Sequence, residues 1–170
     1  MTMKRTHHGF TLIEVMIAML VLSLGLLGIA STLIAALHSS TSNYLQQQAV
    51  QSSYDILDRM RSNFTAASIA GTSNPYIAAL SAPSTTAPAP DCTAASCSAN
   101  QMAAYDVWQW QTTIKNSLPS GLGSVAVTPI GLTPQTAQVT ITIQWSDQPA
   151  QSTFNPTGLA TRTYTVVTEL

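Results

Sequence analysis

Gly9-Phe10-Thr11-Leu12-Ile13-Glu14 stands at the head of a stretch, Val15 to Leu37, in which no residue is charged. As a helix these 23 residues span about 35 Å, enough to cross a hydrocarbon core of about 30 Å. Ahead of them, Met1 to Gly9 carry Lys4 and Arg5. Basic flanks stay on the cytoplasmic side, so the bulk of the chain is expected to face outward. Three kinds of segment share this outline. One is a secretory signal, cleaved near the small residues Ala30, Ser31, Ala35 and Ala36. Another is a plain signal anchor. The third is a spanning helix whose short basic leader is removed ahead of Phe10. Glu14 separates them. A carboxylate costs about 2.5–3.5 kcal/mol at the centre of a spanning helix and less near its end. Neither a signal peptide nor a simple anchor needs that acid, and an intramembrane acid calls for a partner.

Working outward from this stretch, the next proline is Pro75, and Gly25 and Gly28 are the only glycines between Phe10 and Gly71. An unbroken helix from about Thr11 to Ser62 is therefore expected, about 80 Å long. Beyond Leu37 its apolar pattern becomes one-sided. Leu45, Ala49, Ile56 and Met60 recur at helical spacing, and Val50, Tyr54 and Leu57 widen the stripe. Gln46, Gln47, Gln48, Gln51, Asp55, Asp58, Arg59 and Arg61 surround it. Asp55 and Arg59, four apart in the favourable order, form a candidate ion pair. The first half suits a membrane and the second half suits docking onto a folded domain. Gly25 and Gly28, with Ser23 and Ser31, make a small-residue surface that permits close helix approach; glycine is also simply tolerated in membranes.

The composition supports this division. Only 8% of the residues are charged, against about 25% in soluble domains, and the apolar excess lies in the first forty residues. If Lys4 and Arg5 are cleaved away, Arg59, Arg61, Lys115 and Arg162 face seven acidic residues, a net −3. No basic patch is left for a nucleic-acid backbone. Cys92 and Cys97 are too few for a tetrahedral zinc site, and His7, His8 and His38 are badly placed to complete one. A small disulfide loop in an oxidising compartment such as the periplasm is the reading for an exported chain; two reduced thiols are the alternative.

After Ser62 the chain changes character. Residues 63–100 have little apolar periodicity, and Ser81 to Pro90 reads as an exposed loop rich in Ser, Thr, Ala and Pro. Ser98 and Gln101 have capping-box spacing. From there to about Ser117, Ala103, Val107, Trp110 and Ile114 share a helical face, flanked by Tyr105 and Trp108. Pro119 ends this second helix. Ser124–Thr128 is a short strand. Ala137–Trp145 alternates Val139, Ile141, Ile143 and Trp145 against Thr140, Thr142 and Gln144. Thr161–Glu169 sets Tyr164 and Val166 opposite Thr165 and Val167. A turn region with Asp147, Pro149, Pro156 and Gly158 separates these two strands, which implies an antiparallel pair.

Gly9-Phe10-Thr11-Leu12-Ile13-Glu14 behind a basic leader closely resembles the processing site of type IV pilins and type II secretion pseudopilins. The resemblance implies that a prepilin peptidase cuts between Gly9 and Phe10 and methylates Phe10. Glu14, fifth in the mature chain, would then pair with the cationic amine of a neighbouring subunit. It implies an α+β, type IV pilin-like fold, a long helix packed on a small antiparallel β-sheet with a second short helix. The divisions are a leader (1–9), a transmembrane and filament-core half of the helix (10–37), an amphipathic half (38–63) and a periplasmic globular domain (64–170). Tyr54 to Asn63, Asp91-Cys92, Cys97 and Ala104 to Trp110 further resemble the minor pilins called type IV pilus modification protein PilV. That family implies an inner-membrane protein that joins other minor pilins and the major pilin in a priming complex near the pilus tip, at times with a large tip adhesin. Major pilins often have proline at the twenty-second mature position, where Ser31 stands here.

Other classes fit less well. No Gly-x-Ser-x-Gly, zinc signature or phosphate loop is present, no histidine follows His38, and Asp91, Asp106 and Asp147 are scattered. Neither a catalytic site nor a cofactor is expected. A minor pseudopilin of type II secretion and a membrane-anchored binding module that never polymerises are the two alternatives.

Overall fold

A computed structural model describes residues 9–69, 71–130, 137–147 and 161–170. Lys4, Arg5, Pro149, Pro156 and Gly158 lie outside the described residues, and the leader and turn expectations with them.

Helix α1 runs unbroken from Leu12 to Ser62. Its 51 residues give a rod about 76 Å long. Every residue from 9 to 37 is exposed, and burial sets in only with the second half. There Leu45, Ala49, Ile56, Leu57 and Met60 turn inward at i, i+4, i+7 spacing, as the one-sided pattern requires. Two details differ from the sequence reading. Tyr54 is 61% exposed and lies off the apolar stripe, and the small Ser52 and Ser53 are buried instead. The helix backbone comes so close to its neighbour that Trp110 Nε1 donates directly to the Ser52 carbonyl at 2.8 Å. A bulky side chain at 52 or 53 would hold the two apart.

Residues 63–81 carry two short elements that the breaker-rich sequence hides. Helix α2 spans Phe64–Ala67 and buries Ala66 and Ala67. Strand β1, Ala78–Ser81, takes the first residue of the expected loop. Asn74 organises the link between them. Its amide donates to the carbonyls of Ala67 and Ile69, and its Oδ1 accepts from the Tyr76 N–H. No propensity announces so short a strand; pairing with a neighbour creates it.

Helix α3, Ala99–Ser117, opens with the expected capping box. The Ser98 side chain accepts from Gln101 N–H, and the Gln101 side chain accepts from Ser98 N–H. Its buried residues are Ala103, Asp106, Trp110, Gln111 and Ile114, while Val107 is only half-buried. Two polar residues thus occupy what the sequence reading took as an apolar face. Gln111 is accounted for by the sheet, since its amide donates to the carbonyls of Gly123 and Ala79.

Strands β2 (Leu122–Pro129), β3 (Ala137–Ser146) and β4 (Thr161–Glu169) complete an antiparallel four-stranded sheet in the order β1-β2-β3-β4. β3 alternates strictly, with Val139, Ile141, Ile143 and Trp145 buried. β4 turns Tyr164 and Val166 toward the core and leaves Val167 exposed. Helix α3 covers β2, and the second half of α1 lies along α3 and reaches β3 and β4. Gly123 is where α3 and the sheet meet most closely. A Cβ there would stand 2.7 Å from both Trp110 Cη2 and Ile114 Cδ1. The result is the long helix packed on a small antiparallel sheet that the sequence implies, with α3 beside it over β2.

Candidate functional site

The helix N-terminus holds the residues singled out first. Thr11 is the N-cap in extended conformation, with no side-chain cap, and its carbonyl accepts from the N–H groups of Glu14 (3.1 Å) and Val15 (3.4 Å). Glu14 therefore sits in the first turn, where the partial positive charge of the helix end favours an acid. Phe10 is 84% exposed and lies one turn before Glu14. Together with Val15, Ala18, Met19 and Leu22 they line one shallow face of the rod. Glu14 makes no ion pair among the described residues. α1 is also the one helix among them long and apolar enough to cross a membrane. The structure thus places Gly9, Phe10 and Glu14 at the exposed start of α1, about 35 Å of apolar helix from the folded domain.

Cys92 and Cys97 lie elsewhere. They form a disulfide with Cα atoms 5.6 Å apart, closing the loop before α3. Asp91 starts the loop. The Thr93 hydroxyl and N–H both bond its carboxylate and hold it below the usual carboxylate range. Trp108, next to Tyr105 at 5.7 Å, fixes the preceding loop by donating to the Ser84 carbonyl at 3.0 Å.

The expected Asp55–Arg59 ion pair forms, and it belongs to a wider polar junction beneath α1 that sequence reading did not reveal. Arg59 Nε bonds both Asp55 oxygens at 3.2 Å, and Nη1 donates to Asp106 Oδ1 (3.2 Å) and Gln109 Oε1 (2.6 Å). Tyr76 OH donates to Asp106 Oδ2 at 2.9 Å. Burial works against the Arg59 charge, but Asp55 and Asp106 outweigh it and hold the guanidinium more firmly protonated than usual. Burial, reinforced by the nearby Asp106 carboxylate, pushes the Tyr76 phenol well up. The signal for Asp106 was present: it lies three residues after Ala103 and four before Trp110, on the buried face. A buried carboxylate so placed needs a cation, and Arg59 lies on the facing side of α1. A second junction joins Arg162 Nε to Asp147 Oδ2 at 2.8 Å, with Ser42 of α1 donating to the same oxygen. Arg59, Asp55, Asp106 and Tyr76 satisfy one another, whereas Asp147 Oδ1 is buried without a hydrogen-bond partner among the described residues. Among the described residues no cluster of three metal-ligating side chains occurs.

Two family models match the chain. The prokaryotic N-terminal methylation motif matches residues 4–30, and type IV pilin Tt1218 matches residues 33–108. No curated protein and no solved structure matches. The first match covers Gly9, Phe10 and Glu14 and implies processing by a prepilin peptidase and pilin partners. The second covers the amphipathic half of α1, the disulfide loop and the start of α3, in a family of structural pilus components rather than enzymes. With the long helix packed on its sheet, the two matches support a type IV pilin-like protein that carries the N-terminal methylation motif.

Proposed function

We propose that this chain is a minor pilin of the PilV type, which helps to initiate type IV pilus assembly within a tip-proximal priming complex. The observation that carries the reading is Glu14, a carboxylate on the wholly exposed apolar first half of α1 with no cation beside it among the described residues. In a low-dielectric bundle an unpaired carboxylate is penalised and a paired one is held strongly. After cleavage between Gly9 and Phe10, the methylated Phe10 amine of a neighbouring subunit supplies the missing cation. The chain then resides in the inner membrane by residues 10–37, with residues 64–170 in the periplasm, until extraction into the pilus. Lys4 and Arg5 keep the leader on the cytoplasmic side. Partners are the prepilin peptidase, other minor pilins and the major pilin, with a large tip adhesin as a further one. Because it carries Glu14, the subunit accepts the amine of another and so sits below at least one other minor pilin.

Glu14→Ala and Glu14→Gln test the reading in cells. Both should be processed at Phe10 yet fail to enter the priming complex, with surface piliation falling by about tenfold or more, as expected for a buried pair broken on one side. Normal piliation with either variant overturns the assembly role. Deletion separates a pilus role from a type II secretion role: the first loses surface pili and twitching, the second loses protein secretion.

A further inference from the structure

Strand β4 is an edge with no strand beyond it among the described residues. Its nine residues pair one-to-one with β3 from Gln138–Glu169 to Ser146–Thr161, without a bulge. Ala137 and Leu170 exchange both backbone bonds, at 3.4 and 3.0 Å. In an antiparallel ladder such pairs alternate. Thr168, Val166, Tyr164 and Arg162 therefore spend their N–H and C=O groups on β3, and those of Glu169, Val167, Thr165, Thr163 and Thr161 point away from it. Soluble proteins blunt such edges with lysine, proline, bulges or short strands. The opposite edge is so blunted, because β1 has four residues and a register break between Ala78 and Ser81. β4 has none of these. It is long and regular, rich in threonine and valine, and Val167 stands 53% exposed on it.

We propose that β4 is an assembly edge, which takes an extended strand from a different pilin-like subunit and continues the sheet across the subunit boundary. This rests on the pilin reading above and adds a contact away from Glu14. Three observations fix the occupant. The edge carries only Arg162, already held by Asp147, and Glu169 as charges, so it suits an uncharged strand that alternates apolar and threonine-like residues. β4 also touches α1, so a subunit lying alongside that helix reaches this edge as well. Geometry then disfavours antiparallel pairing with a second copy. Two β4 strands paired antiparallel are related by a two-fold axis normal to the sheet. That axis reverses α1, which lies along the sheet, and the two helices cannot then start from the same membrane face. The β1 of a second copy would run antiparallel to β4 with both helices aligned. Its four residues and broken register, however, cannot meet the outward groups of all nine residues of β4.

The test uses the full-length chain in its native membranes. Thr165→Pro removes an outward-pointing donor and leaves the β3 ladder intact. Val167→Lys adds the charge with which edges are ordinarily protected and keeps every backbone group, so it remains informative even if the proline variant fails to fold. Each should lower recovery of the minor-pilin complex by about tenfold or more, while cleavage at Phe10 and the melting temperature of the Val167→Lys protein stay near the parent's. Val167→p-benzoylphenylalanine should photo-crosslink to an extended segment of a different pilin-like subunit, identified by peptide mass. Unchanged recovery with Val167→Lys overturns the proposal, as does crosslinking to a second copy or to no pilin-like subunit. A chain not cleaved at Phe10 overturns the pilin reading instead, so the two failures are distinct.

Discussion

Truncating Asp106 to alanine should loosen the long helix from the domain it carries. Asp106 is 8% exposed and bonds Arg59 Nη1 and Tyr76 OH at 3.2 and 2.9 Å. Breaking one side of a buried ion pair costs about 3–5 kcal/mol. Arg59 is better off than a fully stranded charge, since Asp55 and Gln109 remain and its side chain is 27% exposed. That screening brings the expected loss to about 2–3 kcal/mol. For a folded domain of this size the melting temperature should fall by roughly 10–20 °C. Asp106→Asn keeps an acceptor and the volume, and should cost about 1 kcal/mol. The assay is thermal unfolding of the detergent-solubilised chain, followed by the fluorescence of buried Trp110. If Asp106→Ala melts within about 2 °C of the parent, the junction does not hold α1 to α3 and the reasoning fails.

Two further outcomes follow from the same core. Tyr76 has a raised folded-state pKa, so its contribution to stability is complete below the ordinary value of 10.0. As pH rises above that value, the unfolded chain sheds the proton while the native one keeps it, so stability falls; Tyr76→Phe should flatten this alkaline slope in unfolding titrations. Gly123→Ala places a Cβ 2.7 Å from Trp110, whose indole is tied to the Ser52 carbonyl and cannot retreat freely; an overpacking loss of about 1–3 kcal/mol should appear in denaturant unfolding.

What was legible in the sequence is what periodicity records. The uncharged run after Glu14, the stripe from Leu45 to Met60, the capping box at Ser98 and the alternation of β3 each depend on local spacing, and each emerges as an element with nearly the expected bounds. Elements that exist only through partners were hidden. β1 is held by β2, and the segment before it by Asn74, so residues 74–81 look like loop. Tyr54 satisfies the helical spacing yet faces solvent, because Ser52 and Ser53 are buried at that level instead and the Ser52 carbonyl meets Trp110. The role of Asp106 is hidden for a related reason: its cation, Arg59, lies 47 residues earlier in the chain. At the helix N-terminus, Gly9, Phe10 and Glu14 form a contiguous motif, which the N-terminal methylation model matches within residues 4–30. The partner proposed above for Glu14 belongs to another subunit, so this chain shows only a carboxylate with no ion pair among the described residues.

The intact mass and N-terminal sequence of the protein from native membranes test the central claim most directly. A chain that begins at Phe10 and carries one added methyl group is the predicted result. A chain that begins at Met1, or one cut near Ala30 or Ala36, would contradict the pilin account, leaving the long helix unprocessed in the first case and removing its membrane half in the second.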